Sequence, residues 1–280
     1  MFSVKYLLYL LLAANVIFSW MAFSNHNLFE RFKLQVGRIL FHKEYYRVFS
    51  SAFLHVDMTH LIFNMIALYS FGNVMQVFLN VYEFAILYLL SLLVGSLLAI
   101  YFNRHNSSYS AVGASGAVSG VVFASILFYP YGGITFIFFP FISIPSWIFG
   151  ILYLLYTVYG MNKGNDNIGH EAHLGGAIAG VVLAILFQPE IAMQNWWLSL
   201  ILLAIPSIIF FIKPKSARQG FEFKILNDNV KRTKRSVDDL YYNEQFEREK
   251  ELNSLLEKVN EEGLHSLSKR EQERLKELSK

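Results

Sequence analysis

Apolar residues in this chain fall into long runs, parted by short polar or Gly/Pro-containing breaks. A helix needs about 20 mostly apolar residues to cross a hydrocarbon core of about 30 Å. Seven stretches approach that pattern: Tyr6–Phe23, Met58–Leu79, Phe84–Phe102, Val112–Tyr129, Ser146–Met161, Ile168–Phe187 and Trp196–Ile212. They predict an all-α, polytopic membrane helical bundle in contact with the lipid bilayer. Lys5 precedes the first run, as in a signal peptide. The run is long for a signal, however, and no small-x-small cleavage site follows, so it reads as a retained span.

Two connections are unusual. Ser24–Leu54 interleaves Phe29, Phe32, Leu34, Val36, Ile39, Leu40 and Phe41 with Arg31, Lys33, Arg38 and Lys43. That mixture predicts a segment lying at the membrane interface. Tyr131–Pro145 is apolar but broken by Gly132, Gly133, Pro140 and Pro145, which predicts a packed connection rather than a helix.

Beyond the last run the character changes. Residues 1–212 hold 8 of the 24 Lys+Arg and 7 of the 21 Asp+Glu, leaving 16 and 14 for residues 213–280. This tail opens with a basic stretch from Lys213 to Arg235. Helical periodicity then runs over about Asp239–Asn260, with Leu240, Phe246, Leu252, Leu255, Leu256 and Val259, and Gly263 as a stop. Ser268 and Glu271 have capping-box spacing for a last short helix. The tail predicts a small soluble helical interaction module with no catalytic constellation.

Composition narrows the chemistry. Charged residues make up 16% of the chain, against about 25% in soluble domains. A net charge of +3 without a basic motif does not suggest nucleic acid. The lack of cysteine removes disulfides, thiolate metal ligands and a cysteine nucleophile.

Four polar residues sit inside apolar runs, where their cost makes them candidate functional groups. Ser115 lies among Gly113, Gly116, Gly120, Ala114 and Ala117. These small residues suit close helix packing. They also free backbone N–H groups to face a developing oxyanion. His173 has Gly176, Ala177 and Gly180 at i+3, i+4 and i+7, so its face can press against the Ser115 helix. A hydroxyl beside an imidazole is the minimum pair for an activated serine. His60 and Asn64 share a face one turn apart; they either bond helices together or donate to an oxyanion. His55 reads as structural. Glu171, Asp57 and Asp166 are poorly placed to pair with His173, which predicts a dyad. No His-Glu-x-x-His spacing or acidic cluster argues for a metal.

In this order, on spans two, four and six, these pieces resemble the rhomboid family of intramembrane serine proteases. The match is His60-x-x-x-Asn64, Gly113-x-Ser115-Gly116 and Ala172-His173-x-x-Gly176. Tyr46-Arg47 stands where the family often has Trp-Arg. The resemblance implies Ser115 as nucleophile and His173 as general base and acid. His60, Asn64 and the Ser115 backbone N–H would hold the oxyanion, with Gly113, Gly116 and Gly176 in support. It implies transmembrane helices as substrates, cut where they unwind near small or helix-breaking residues, and no metal or cofactor. It also implies a bacterial-type catalytic domain over 1–190 with a six-helix core. An extra transmembrane helix over 191–213 and a charged helical tail over 214–280 follow, with no partner implied for the tail. Ser119 departs from the family, whose members often carry an aromatic residue there, packed on the catalytic histidine.

The implied location is the cell (inner) membrane, multi-pass, with the active site facing outward. The positive-inside rule votes for the opposite orientation: Arg31, Lys33, Arg38, Lys43, Arg47, Arg104 and Lys163 lie on that outer side, opposed by little beyond Lys5. Two other functions remain open at this level. One is a rhomboid-like protein that binds client helices without cutting them. The other is a transporter or channel, for which no inverted repeat is seen.

Overall fold

The computed structural model describes residues 3–136, 139–163, 168–219 and 264–278, with Glu251, Leu255, Lys258 and Val259 between them. Its long helices are α1 (Val4–Phe23), α5 (Met58–Phe78), α6 (Val81–Asn103), α7 (Ser115–Phe128), α8 (Ser146–Lys163), α9 (His170–Phe187) and α11 (Trp196–Gln219). Each of the seven apolar runs therefore holds a helix. Four of them, α1, α5, α6 and α9, are long and apolar enough to cross a membrane. The apolar parts of α7, α8 and α11 are shorter. The protein is a polytopic helical bundle.

Burial shows why α7 is short. Every residue of α7 after Ser115 is buried. It is a central post packed on α5, α6 and α9, rather than a helix presented to lipid. The seams are lined by small residues. A Cβ on Gly176 or Gly180 would run into the backbone oxygen of Gly116 or Gly120. One on Gly95 would lie 2.7 Å from the Ala172 carbonyl. Backbones this close are the usual device for joining helices where lipid removes any hydrophobic gain from association. Outer faces carry exposed Leu10, Ile17, Leu97, Leu152, Leu186 and Leu200, as lipid-facing surfaces do.

The two connections are more ordered than the hydrophobic pattern alone implies. Ser24–Leu54 folds into α2 (His26–Phe32), β1 (Leu34–Gln35), α3 (Val36–Leu40) and α4 (Arg47–Ser50). β1 pairs antiparallel with β2 (Ser110–Ala111) just ahead of α7, with Leu34 opposite Ala111. Leu34, Val36, Ile39, Val48 and Ile100 form a second small core beneath it. Buried Arg47 ties the segment together, donating to the carbonyls of Glu30 and Lys33, each at 2.8 Å, and pairing with Glu44. Tyr131–Pro145 is a β-hairpin, β3 (Gly133–Phe136) with β4 (Phe139–Pro145). Its β-branched Ile134, Thr135, Ile142 and Ile144 favour a strand over an irregular connection.

A short α10 (Pro189–Gln194) links α9 to α11. In the tail, the capping box forms as its spacing predicts: Ser268 N donates to Glu271 Oε2 at 2.7 Å and Glu271 N to Ser268 Oγ at 3.3 Å. The helix Lys269–Leu278 follows. Most of the predicted helix over 239–260 lies outside the described residues. Glu251 and Lys258 within it pair with Arg274 and Glu271.

Candidate active site

Ser115 is the first residue of α7, three positions after the start of the predicted run at Val112. The cause is Gly113, whose φ of +128° cannot continue a helix and favours glycine. The helix starts without a side-chain cap. Its first bonded amide is Val118 N, which donates to Ala114 O at 2.9 Å. The amides of Ser115, Gly116 and Ala117 thus lie among the groups a helix start leaves without intrahelical partners. They sit at the positive end of the helix dipole. An anion developing beside Ser115 would meet donors already in place.

Ser115 also lies deep. Gly95 of α6 packs against Gly116, its virtual Cβ 3.4 Å from the Gly116 Cα. At 1.5 Å per residue that is about 12 Å below the α6 end at Asn103. Non-helical backbone at such depth is tolerated only where protein or a water-filled cavity surrounds it. The folded Ser24–Leu54 segment provides part of that cover, with the Ser51 carbonyl accepting from Gly113 N at 3.0 Å.

His173 sits in the first turn of α9, after Ala172, whose carbonyl meets the virtual Cβ of Gly116 at 3.4 Å. The Gly116/Gly176 contact brings the α7 and α9 backbones together one residue beyond Ser115. Ser115 and His173 are each half-buried. The imidazole stacks on Tyr153 of α8, ring centroids 6.0 Å apart and planes 23° apart. The Tyr153 hydroxyl is 2.9 Å from Ser119 Oγ.

His60 arrives from the start of α5. Asp57 caps that helix, its Oδ1 accepting from His60 N at 2.7 Å. The His60 ring covers Gly113: a Cβ there would lie 2.7 Å from its Cε1, 2.9 Å from its Nε2 and 3.7 Å from Ser115 Oγ. Glycine is required here twice over, for its φ and for the space His60 occupies. Asn64 is buried and gives one amide N–H to His60 O at 3.1 Å. Its amide has a second N–H.

His55 is fully buried beside them, 4.9 Å from the His60 ring and edge-on to it. Ser19 Oγ donates to Phe53 O at 3.0 Å, so it accepts from His55 Nδ1 at 2.8 Å. His55 Nε2 is then the acceptor, facing Ala114 N at 3.5 Å. Burial lowers its pKa to about 3, helped by His60 and opposed by Asp57. Among the described residues, no group of three His, Cys, Asp or Glu is placed to hold a metal ion.

Comparison with known proteins bears on this arrangement. Residues 42–190 match the Rhomboid domain family. The chain belongs to the rhomboid family. This rhomboid is 28% identical over 189 residues to RHOMBOID-like protein 12, mitochondrial, of Arabidopsis thaliana, covering 60% of this chain and 54% of the relative. It is 29% identical over 151 residues to Rhomboid protein 1, mitochondrial, of Saccharomyces cerevisiae, covering 53% and 43%. It is 29% identical over 141 residues to Rhomboid protease GluP of Bacillus subtilis, covering 50% and 26%. The chain thus spans about half, or less, of the length of these curated relatives. Residues 235–280 match a family of unknown function, DUF6576.

Two residues of this rhomboid's site escape a linear reading. Tyr153 looks like one of many aromatic residues in an apolar helix, and its partners Ser119 and His173 are 34 and 20 positions away. His55 is visible as a histidine, but its link to Ala114 depends on Ser19, which is 36 residues upstream.

Proposed function

We propose that this rhomboid is an intramembrane serine endopeptidase working through a Ser115–His173 dyad. The observation that carries the reading is the meeting of three helix starts about 12 Å below the end of α6. Ser115 opens α7, the His60 ring lies over Gly113, and α9, which carries His173 in its first turn, packs on Gly116 through Gly176.

In this mechanism His173 takes the Ser115 hydroxyl proton as Oγ attacks the scissile carbonyl. The carbonyl oxygen becomes an oxyanion, held by backbone N–H groups at the start of α7 and by His60 and Asn64. His173 then gives its proton to the departing amine, leaving an acyl-Ser115. Water, deprotonated by His173, attacks that ester and frees the carboxylate and Ser115. An intact substrate helix keeps its carbonyls in hydrogen bonds, so it must unwind before Oγ reaches one. Segments with glycine, proline or other poor helix formers unwind most readily. The substrates are therefore transmembrane proteins, and the setting is a bacterial cell membrane. Residues 1–190 act as the catalytic domain, 191–213 as an added transmembrane helix and 214–280 as a tail that binds a partner.

The test uses a fluorophosphonate probe on purified protein in detergent and in lipid. Wild type should label, while Ser115→Ala and His173→Ala should not. A folded wild type that stays unlabelled in both media overturns the protease reading and favours capture of client helices without cutting.

A further inference from the structure

Resting on the reading of His173 as the base, we propose that Tyr153 is the positioning residue for the His173 imidazole, with Ser119 as its tether. An imidazole turns about a broad, weakly restrained final torsion, so something must set its plane. Tyr153 presents a ring face to it in an offset stack, with centroids 6.0 Å and planes 23° apart. The tyrosine is itself held from three sides. Its ring meets Phe123 of α7 at 5.5 Å and Phe149 of α8 at 5.9 Å. Its hydroxyl bonds Ser119 Oγ at 2.9 Å. Ser119 lies one turn after Ser115 on the same face of α7. The helix that carries the nucleophile therefore fixes, through Ser119 and Tyr153, the plane of the base carried by α9. Position 119 itself offers only a hydroxymethyl group, so the aromatic surface beside His173 comes from α8. The phenol fits this role because it joins a flat apolar face to a polar tip.

The experiment follows the fluorophosphonate reaction as kinact and KI. Loss of the ring in Tyr153→Leu should lower kinact about tenfold, as expected for a lost stacking contact, and leave KI within about twofold. Tyr153→Phe and Ser119→Ala each remove only the tether and should each lower kinact about threefold. The double variant should be no worse than either, because both remove one bond. Leu152→Ala, exposed on α8 about 100° around the helix from Tyr153, should react like wild type. A wild-type kinact in Tyr153→Leu overturns the assignment, and so does a loss shared by Leu152→Ala. Additive losses in the tether variants overturn it even if Tyr153→Leu does not fold. An unreactive wild type would instead sink the protease reading. The stack is then tested by the ring-proton shift of His173, which must move in Tyr153→Leu if the contact is real.

Discussion

His55 works as an uncharged ring. Its Nδ1 donates to Ser19 and its Nε2 faces the Ala114 amide, so a second ring proton would oppose that N–H. The sign of the pH effect follows. Burial holds the folded pKa at about 3, below the ordinary 6.5 of a solvated histidine. Between those values the unfolded chain binds a proton that the folded chain refuses. Stability is full above about pH 6.5 and falls as the pH drops toward 3, by about 1.4 kcal/mol per unit once well below 6.5. Between pH 7 and pH 5 the residue should cost wild type on the order of 2 kcal/mol. His55→Gln should be less stable at pH 7 yet flatter over that interval, as read by thermal unfolding in detergent. Gly113 gives a second residue-scale prediction. A methyl group there meets the His60 ring at 2.7 Å and a φ of +128°. Gly113→Ala should lose about 1–3 kcal/mol of stability. It should also lower the fluorophosphonate labelling rate more than about tenfold, because His60 must move.

At the scale of elements, the glycine seam was legible in the chain, and its asymmetry was not. Gly116-x-x-x-Gly120 and Gly176-x-x-x-Gly180 are visible as matching small-residue faces, and the helices do meet there. In sequence the four glycines look equivalent. In space a Cβ on Gly176 runs into the backbone of Gly116, whereas one on Gly116 meets the Ala172 oxygen at 3.4 Å, an ordinary contact. Backbone cannot step aside as a side chain can. Gly176→Ala should therefore destabilise the fold by about 3 kcal/mol. Gly116→Ala should change it by less than about 1 kcal/mol. Thermal unfolding of the pair decides this, and equal losses would contradict it. The same division runs through the fold. Apolar runs located the seven helices because length in lipid is a local requirement. The exact first residue of α7 and the β1–β2 pairing were hidden, since one depends on the conformation of Gly113 and the other on a strand far along the chain. The hairpin at 133–145 had β-branched residues as its signal, outweighed by its glycines and prolines.

Across the whole molecule, the helix ends sort to two sides. Gln188 at the end of α9 donates to Phe78 O at the end of α5, and Asn195 donates to Leu127 O near the end of α7. The starts of those helices, with His60, Ser115 and His173, lie at the opposite side, where β2 leads into α7. α11 begins at the Asn195 level and runs 24 residues. Its apolar run, Trp196–Ile212, is 17 residues, about 26 Å at 1.5 Å per residue and at the short end of what crosses a core of about 30 Å. The tail should thus emerge on the side of the candidate site, whichever face of the membrane that is. Because the chain has no cysteine, single substitutions report this directly. His42→Cys marks the site side, Met193→Cys in α10 the other, and Glu273→Cys the tail. A membrane-impermeant maleimide applied to intact cells and to inverted vesicles should label His42→Cys and Glu273→Cys from one face and Met193→Cys from the other. Labelling of Glu273→Cys together with Met193→Cys would mean that α11 does not cross. The face that exposes His42→Cys also decides between the two orientations. Outside agrees with the family orientation, and inside agrees with the seven basic residues on the site side.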